Sequence, residues 1–230
     1  MKKNILLIGG TYGIGAKILE LLGNSHEIHV ASRTAEGLPQ FVTHHSFNAL
    51  EDDISTLGLP DRIDALVYCP GSINLRPFKM LRPESFEEDM EINFFALERV
   101  VHGLLPNLKN SEQASLVFFS TVAVKVGMPF HTSVAAAKGA IEGFAKALAA
   151  EYAPSFRVNV IAPSLTNTPL AEKLLSSEEK IEKMGGRHPL KRVGTPEDIA
   201  QIAEFLISDK SSWMTGQIIG VDGGISTLQS

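Results

Sequence analysis

A chain of 230 residues that is 44% apolar can bury one full core, and it fits one large α/β domain better than two small ones. A net charge of −5, with Lys2-Lys3 the only N-terminal basic run, argues against nucleic acid as a partner. The single cysteine, Cys69, rules out an intramolecular disulfide and suits a reducing cytosol, and no run reaches the ~18 apolar residues of a membrane span.

Residues 5–8 (ILLI) form a continuous apolar run, too short for a helix, and predict a strand buried on both faces. Met1-Lys2-Lys3 ahead of it imitates the start of a signal peptide, but the run stops at Gly9, too early for one. Gly9, Gly13 and Gly15 follow at G-x-x-x-G-x-G spacing, and then Ile14, Ile18, Leu21 and Leu22 recur at helical intervals. Strand, glycine turn and helix together present free backbone N–H groups and the positive end of a helix dipole to a phosphate. Glycine suits such a turn because a Cβ would hold a pyrophosphate off the backbone. Three glycines alone would also fit a bare tight turn; the flanking strand and helix favour a nucleotide site.

Further strands are predicted at 27–32, 41–46, 65–69, 116–119, 157–161 and 217–221. Only residues 33–40 separate the second strand from the third, including Gly37 and Pro39, so any helix there is reduced to a turn. Residues 84–108 carry helical periodicity with a break near Asn93, and 135–152 form a long alanine-rich helix. Thr195-Pro196-Glu197-Asp198 opens another helix, with Thr195 as N-cap and acids in the first turn. Alternation of this kind predicts an α/β fold: a doubly wound Rossmann parallel sheet of about seven strands in three layers, spanning 1–230 as one domain. Ligand then sits at the carboxyl ends of the strands, where strand order reverses.

The end of the second strand reports on the dinucleotide. An acid there would bind an adenosine ribose and repel a 2′-phosphate. Ala31, Ser32 and Arg33 stand there instead, which favours NADP(H) over NAD(H); Arg33 as a merely solvated loop residue is the alternative.

These motifs resemble the classical short-chain dehydrogenase/reductase family over almost the whole chain. Gly9-Gly10-Thr11-Tyr12-Gly13-Ile14-Gly15 resembles its cofactor loop, and Tyr68-Cys69-Pro70-Gly71 takes the place of its N-N-A-G motif. Asn48-Ala49 stands where an Asp-Val pair contacts adenine, and Asn93 matches the helix asparagine. Pro163-Ser164-Leu165-Thr166-Asn167-Thr168 resembles the P-G-x-x-x-T segment beside the nicotinamide. The segments 189–198 and 215–224 are also close to the family pattern. The resemblance therefore implies cofactor contacts from Gly9, Thr11, Tyr12, Gly13, Ile14 and Gly15; from Ser32, Arg33, Asn48 and Ala49; from Cys69, Pro70, Gly71 and Lys138; and from Pro163, Leu165, Thr166 and Thr168.

The departure falls where the chemistry should be. The family's Tyr-x-x-x-Lys is Val134-x-x-x-Lys138 here, and Thr121 replaces the serine thirteen residues before the Tyr position. Positions 134 and 138 lie one turn apart on the same helix face. A tyrosine at the first would have its pKa of about 10 lowered by the ammonium and could protonate an alkoxide. Valine donates nothing. Lys138, Thr121 and Asn93 keep the family's catalytic positions: ribose binding, carbonyl polarisation and a water in the proton path. Substitute donors are Ser133, His131, Tyr12, Tyr68 or a water on Lys138, each with a plain structural role beside it. Ser133 would start the helix, His131 would be a loop residue, and Tyr68 would pack in the strand.

The carboxylates of PESFEEDMEI read as a solvated helix face, not a catalytic pair. His44 and His45 alternate across a strand and cannot chelate one metal, and no Cys/His cluster has metal-ligand spacing, so no metal is expected. The small residues of AAAKGAIEGFAKALAA imply a homodimer or homotetramer through this helix, as the family often builds. Residues 165–190 resemble its substrate lid. The leading expectation is a cytosolic NADP(H)-dependent oxidoreductase acting on a small carbonyl or alcohol with an atypical proton donor. The alternative is a dinucleotide-binding sensor or assembly partner with little turnover.

Overall fold

The computed structural model describes residues 2–229, so Met1 of the basic start lies outside them. Among the described residues the strands are β1 (Asn4–Ile8), β2 (Glu27–Ser32), β3 (Val42–Ser46), β4 (Ala65–Tyr68), β5 (Ala114–Phe119), β6 (Phe156–Pro163) and β7 (Ile218–Val221). All pair in parallel, in the order β3-β2-β1-β4-β5-β6-β7. The order reverses between β1 and β4, where Ile8 is level with Tyr68, and a crevice opens beyond their carboxyl ends.

The helices are α1 (Gly13–Leu22), α2 (Pro83–Met90), α3 (Ala96–Lys109), α4 (Val122–Val126), α5 (Thr132–Tyr152), α6 (Glu178–Gly185) and α7 (Pro196–Ile207). Side chains of a strand alternate between faces, and β1 shows how this builds three layers. Leu6 and Ile8 pack with Leu97 and Leu104 of α3 and Ile141 of α5. Ile5 and Leu7 pack with Ile18 and Leu22 of α1 and Ile199 and Leu206 of α7. All four strand residues are fully buried, each stabilising the fold by about 2 kcal/mol.

The predicted strands stand, with ends shifted by a residue or two. No helix forms between β2 and β3, as the short connection requires. α5 begins at Thr132, three residues before the predicted start, with the N–H of Ala135 donating to the carbonyl of His131. The break near Asn93 is a π-helical turn, Glu91–Phe95, between α2 and α3; the N–H of Ala96 donates five residues back to Glu91. At α7, Thr195 and Asp198 form a reciprocal capping box, and Arg192 clamps Asp198 through two bonds of 2.6 and 2.7 Å.

The acidic stretch PESFEEDMEI is not wholly solvated. Asp89 is completely buried, because the last turn of α2 packs towards α5. Residues 165–190 hold a 3-10 helix (Pro169–Leu174) and α6, around a small apolar cluster of Ala171, Leu175 and Val193. Among the described residues no helix is long and apolar enough to cross a membrane.

Candidate functional site

A cavity of about 780 Å³ lies at the carboxyl ends of the strands, within the size range of small-molecule and cofactor sites. Its floor is the turn between β1 and α1. Gly9, Gly10 and Gly13 have φ of +82°, +115° and +61°, where side chains are strained. Gly15 is required by space: a Cβ there would stand 2.6 Å from the Gly10 Cα. The turn is thus folded tightly on itself, and the N–H groups of Gly13, Ile14 and Gly15 have no carbonyl one turn back. This is a cradle for an anion at a helix start. Thr11 and Tyr12 line it too; Tyr12 is 58% exposed, at the N-cap of α1.

Ser32 and Arg33 are at one end of the same cavity. Arg33 is exposed. The Ser32 hydroxyl donates to the carbonyl of Thr34 at 2.7 Å, so its hydrogen is already engaged. Asn48 and Ala49 line the adjoining wall, with the Asn48 side chain accepting from the N–H of Leu50 at 3.2 Å. Cys69, Pro70 and Gly71 continue it after β4, and burial pushes the Cys69 thiol up to about 12. Pro163, Leu165, Thr166 and Thr168 close the far side after β6.

Lys138 and Val134 of α5 face this cavity together with Thr121. Both α5 residues are buried. The Lys138 Nζ donates to the Phe119 carbonyl at 3.0 Å, and burial pulls its pKa down to about 8 against the opposing charges of Asp89 and Cys69. Thr121 caps α4: its oxygen accepts from the N–H of Ala123 at 3.3 Å, which leaves the hydroxyl hydrogen free to donate.

Asn93 is not on the cavity wall. It is buried behind Gly71, where an added Cβ would stand 3.1 Å from both Asn93 Oδ1 and Lys138 Nζ. The Asn93 amide donates to Ser72 Oγ and to the carbonyl of Asp89, both at 2.8 Å. Asp89 Oδ1 accepts from Ser72 Oγ and from Asn74 Nδ2, while its Oδ2 has no partner among the described residues. A buried carboxylate network therefore backs the lysine.

The predicted substitute donors separate. Tyr68 is fully buried with its hydroxyl donating to the Ile92 carbonyl at 3.0 Å, and burial pushes the phenol well above its usual range. Ser133 is buried, has no partner among the described residues and does not line the cavity. His131, at the N-cap of α5, reaches the cavity with Nδ1 2.7 Å from the Pro129 carbonyl. In β3, His45 Nε2 lies 3.1 Å from His29 Nδ1, whereas His44 turns the other way to Ser32, as strand alternation requires. Among the described residues no three His, Cys, Asp or Glu side chains are grouped to hold a metal ion.

The sequence reading missed three polar groups here: Asp89, Ser72 and the pair Ser164–His188. His188 is buried with Nε2 2.8 Å from Ser164 Oγ, and both line the cavity. The only forward signal for the pair was a serine in the glycine position of the P-G-x-x-x-T segment.

A family model described as enoyl-(acyl carrier protein) reductase matches residues 45–226. A tropinone reductase homologue of Datura stramonium is 32% identical, covering 95% of this chain and 90% of its own. The 3-oxoacyl-(acyl-carrier-protein) reductase of Thermotoga maritima is also 32% identical, covering 97% of each. The ligand-free aldohexose dehydrogenase of Thermoplasma acidophilum superposes with a TM-score of 0.89 at 25% identity, covering 100% of this chain and 97% of that one. The parallel sheet and its crevice define a dinucleotide-fold α/β protein. The chain belongs to the classical short-chain dehydrogenase/reductase family.

Proposed function

We propose that this protein is a cytosolic NADP(H)-dependent oxidoreductase acting on a small carbonyl or alcohol, with a proton donor other than tyrosine. One observation carries the reading: a single cavity joins the tight glycine turn, the Arg33 guanidinium, the Lys138 ammonium and the Thr121 hydroxyl. The residues fit a dinucleotide, since the turn exposes backbone donors where any Cβ at position 15 would clash. In this reading Gly13, Ile14 and Gly15 hold the pyrophosphate, Arg33 holds a 2′-phosphate, and Lys138 holds the nicotinamide ribose. The reduced nicotinamide, when bound, supplies the hydride. Thr121 donates its free hydrogen to the substrate oxygen and polarises the carbonyl. Relatives whose names describe reductases and a dehydrogenase support the reaction class.

Losing the acid leaves hydride orientation in place. General acid help is worth roughly 10²- to 10⁴-fold, about 3 to 5 kcal/mol of barrier, so slower turnover is physically allowed. Val134 favours a second reading, a dinucleotide-binding protein without turnover. NADPH consumption over an aldehyde and ketone panel, with Val134→Tyr alongside, separates the two. Turnover by the wild type supports the enzyme; a silent wild type beside an active Val134→Tyr establishes the second reading.

In the same reading residues 165–190 act as a substrate lid over one domain of 1–230. α5 pairs with a second copy through its exposed small residues Ala136, Gly143, Ala147 and Ala150.

A further inference from the structure

We propose that Ser164 and His188 form a proton-delivering pair that replaces the missing tyrosine, with the Ser164 hydroxyl as the donor to the substrate oxygen. The proposal rests on the oxidoreductase reading above.

Position comes first. β5 and β6 are in register with Phe119 opposite Ile161, and the Ser120 N–H still donates to the Ile161 carbonyl at 2.8 Å, so the segments carrying Thr121 and Ser164 leave neighbouring strands at the same edge of the sheet. Neighbouring strands lie about 4.8 Å apart. Ser164 and Thr121 both line the cavity, together with Lys138 and Val134. Its backbone is fixed: the N–H donates to Val221 at 3.3 Å, and the carbonyl accepts from Thr166 Oγ1 at 3.0 Å.

Hydrogen-bond chemistry then sets the direction. His188 Nδ1 lies 3.1 Å from the carbonyl oxygen of Met184, in the last turn of α6. A carbonyl can only accept, so Nδ1 carries a hydrogen whatever the charge of the ring. In the neutral ring Nε2 must then be an acceptor, and the Ser164 hydroxyl, 2.8 Å away, donates to it. In the imidazolium Nε2–H donates to Ser164 Oγ, and the serine's own hydrogen is released toward the cavity. The ring is held in this pose because it is only 3% exposed and lies against Gly223, where a Cβ would meet the His188 Cβ at 3.4 Å.

The step balances. As hydride reaches the carbonyl carbon, the C=O π pair moves to oxygen. That oxygen takes the Ser164 proton, and Ser164 takes the Nε2 proton of His188, which ends neutral. The carbonyl is reduced and the dinucleotide oxidised. Ser164 is the catalytic residue and His188 a positioning residue that acts through it.

The charged groups facing His188 are otherwise occupied. Asp222, in the turn behind Gly223, accepts from the N–H groups of Gly224 and Ser226. Arg187 reaches the Met184 sulfur at 3.7 Å, and Lys191 donates to the Gly186 carbonyl at 3.3 Å. Glu182 and Lys183 of α6 are exposed.

The test uses the full chain with NADPH, a β-keto ester, a cyclic ketone and an aromatic aldehyde. Long-range ¹H–¹⁵N NMR of the imidazoles reads the tautomer without any turnover, and fluorescence reads NADPH binding. We expect the ring, whenever it is neutral, to carry its proton at Nδ1. We expect Ser164→Ala to lower kcat by at least about 100-fold with NADPH affinity unchanged, and Ser164→Thr to stay within about tenfold of wild type. His188→Gln, which can bond to the Ser164 hydroxyl but cannot return a proton to it, lowers kcat with NADPH affinity unchanged and flattens the fall in reduction rate with rising pH. A neutral ring protonated at Nε2 overturns the pair, as does a Ser164→Ala enzyme with wild-type kcat. Wild type that binds NADPH but reduces nothing overturns it while sparing the cofactor reading. A wild type that binds no dinucleotide overturns the cofactor reading and the pair together.

Discussion

The Lys138 ammonium donates to the main-chain carbonyl of Phe119, 3.0 Å away, at the carboxyl end of β5. That bond fixes a buried cation beside the cavity, and burial lowers its pKa to about 8. The ordinary unfolded lysine loses its proton at about 10.4. Between those values the unfolded chain holds more protons, so this group makes stability rise as pH climbs from about 8 to about 10. Lys138→Met removes the burial penalty. It should stabilise the ligand-free protein at pH 7 by about 1 to 3 kcal/mol in urea unfolding, flatten that pH rise and weaken NADPH binding.

Asp89 sits behind this lysine with both Ser72 and Asn74 donating to one oxygen. Asp89→Ala leaves those buried donors unpaired and should cost about 3 kcal/mol of stability. Asp89→Asn keeps an acceptor for them and removes the negative charge that holds the Lys138 proton. Its folding should stay closer to wild type, while the Lys138 ionisation, followed by NMR, moves to lower pH.

Arg33 is exposed at the end of β2, with no carboxylate at the strand end to bind a ribose. Arg33→Ala should raise the Kd for NADPH by about tenfold or more and leave that for NADH within about threefold, the loss of a charge-assisted contact to phosphate. Calorimetry of both nucleotides reads the ratio.

Asp198 completes the capping box that Thr195 opens at α7, and the Arg192 guanidinium holds its carboxyl far below the usual carboxylate range. Its contribution is present above the unfolded carboxylate pKa of about 3.9 and is lost as pH falls below it. Partial exposure of the pair limits that contribution. Asp198→Asn should therefore cost about 1 kcal/mol at pH 7, and the difference from wild type should shrink below about pH 4.

Much of this architecture was legible because its signals are local. Runs such as 5–8 and 116–119 are apolar on both faces, and Gly9, Gly13 and Gly15 mark the turn between a strand and a helix. Lys138 and Val134 were legible through the resemblance to the family's Tyr-x-x-x-Lys motif, whose spacing puts both on one helix face. Asp89 was not. A helix carrying five acids between positions 84 and 91 reads as solvated, and only packing against α5 reveals which acid turns inward. The π turn changes the phase of the helix at Asn93, which periodicity registers only as a break. Ser164 and His188 are 24 positions apart, across a 3-10 helix and α6, and no pattern in that stretch brings an imidazole to a hydroxyl. Their meeting depends on the path from β6 through α6 back to the turn after β7.

The central claim is that the cavity captures a reduced pyridine nucleotide while proton supply has changed. Calorimetric titration of the full chain with NADPH and with NADH tests it most directly, with Gly15→Ala as the comparison. The account predicts one site per chain, tighter binding of NADPH than of NADH, and loss of binding when a methyl is forced against Gly10. Heat of association with neither nucleotide would contradict it.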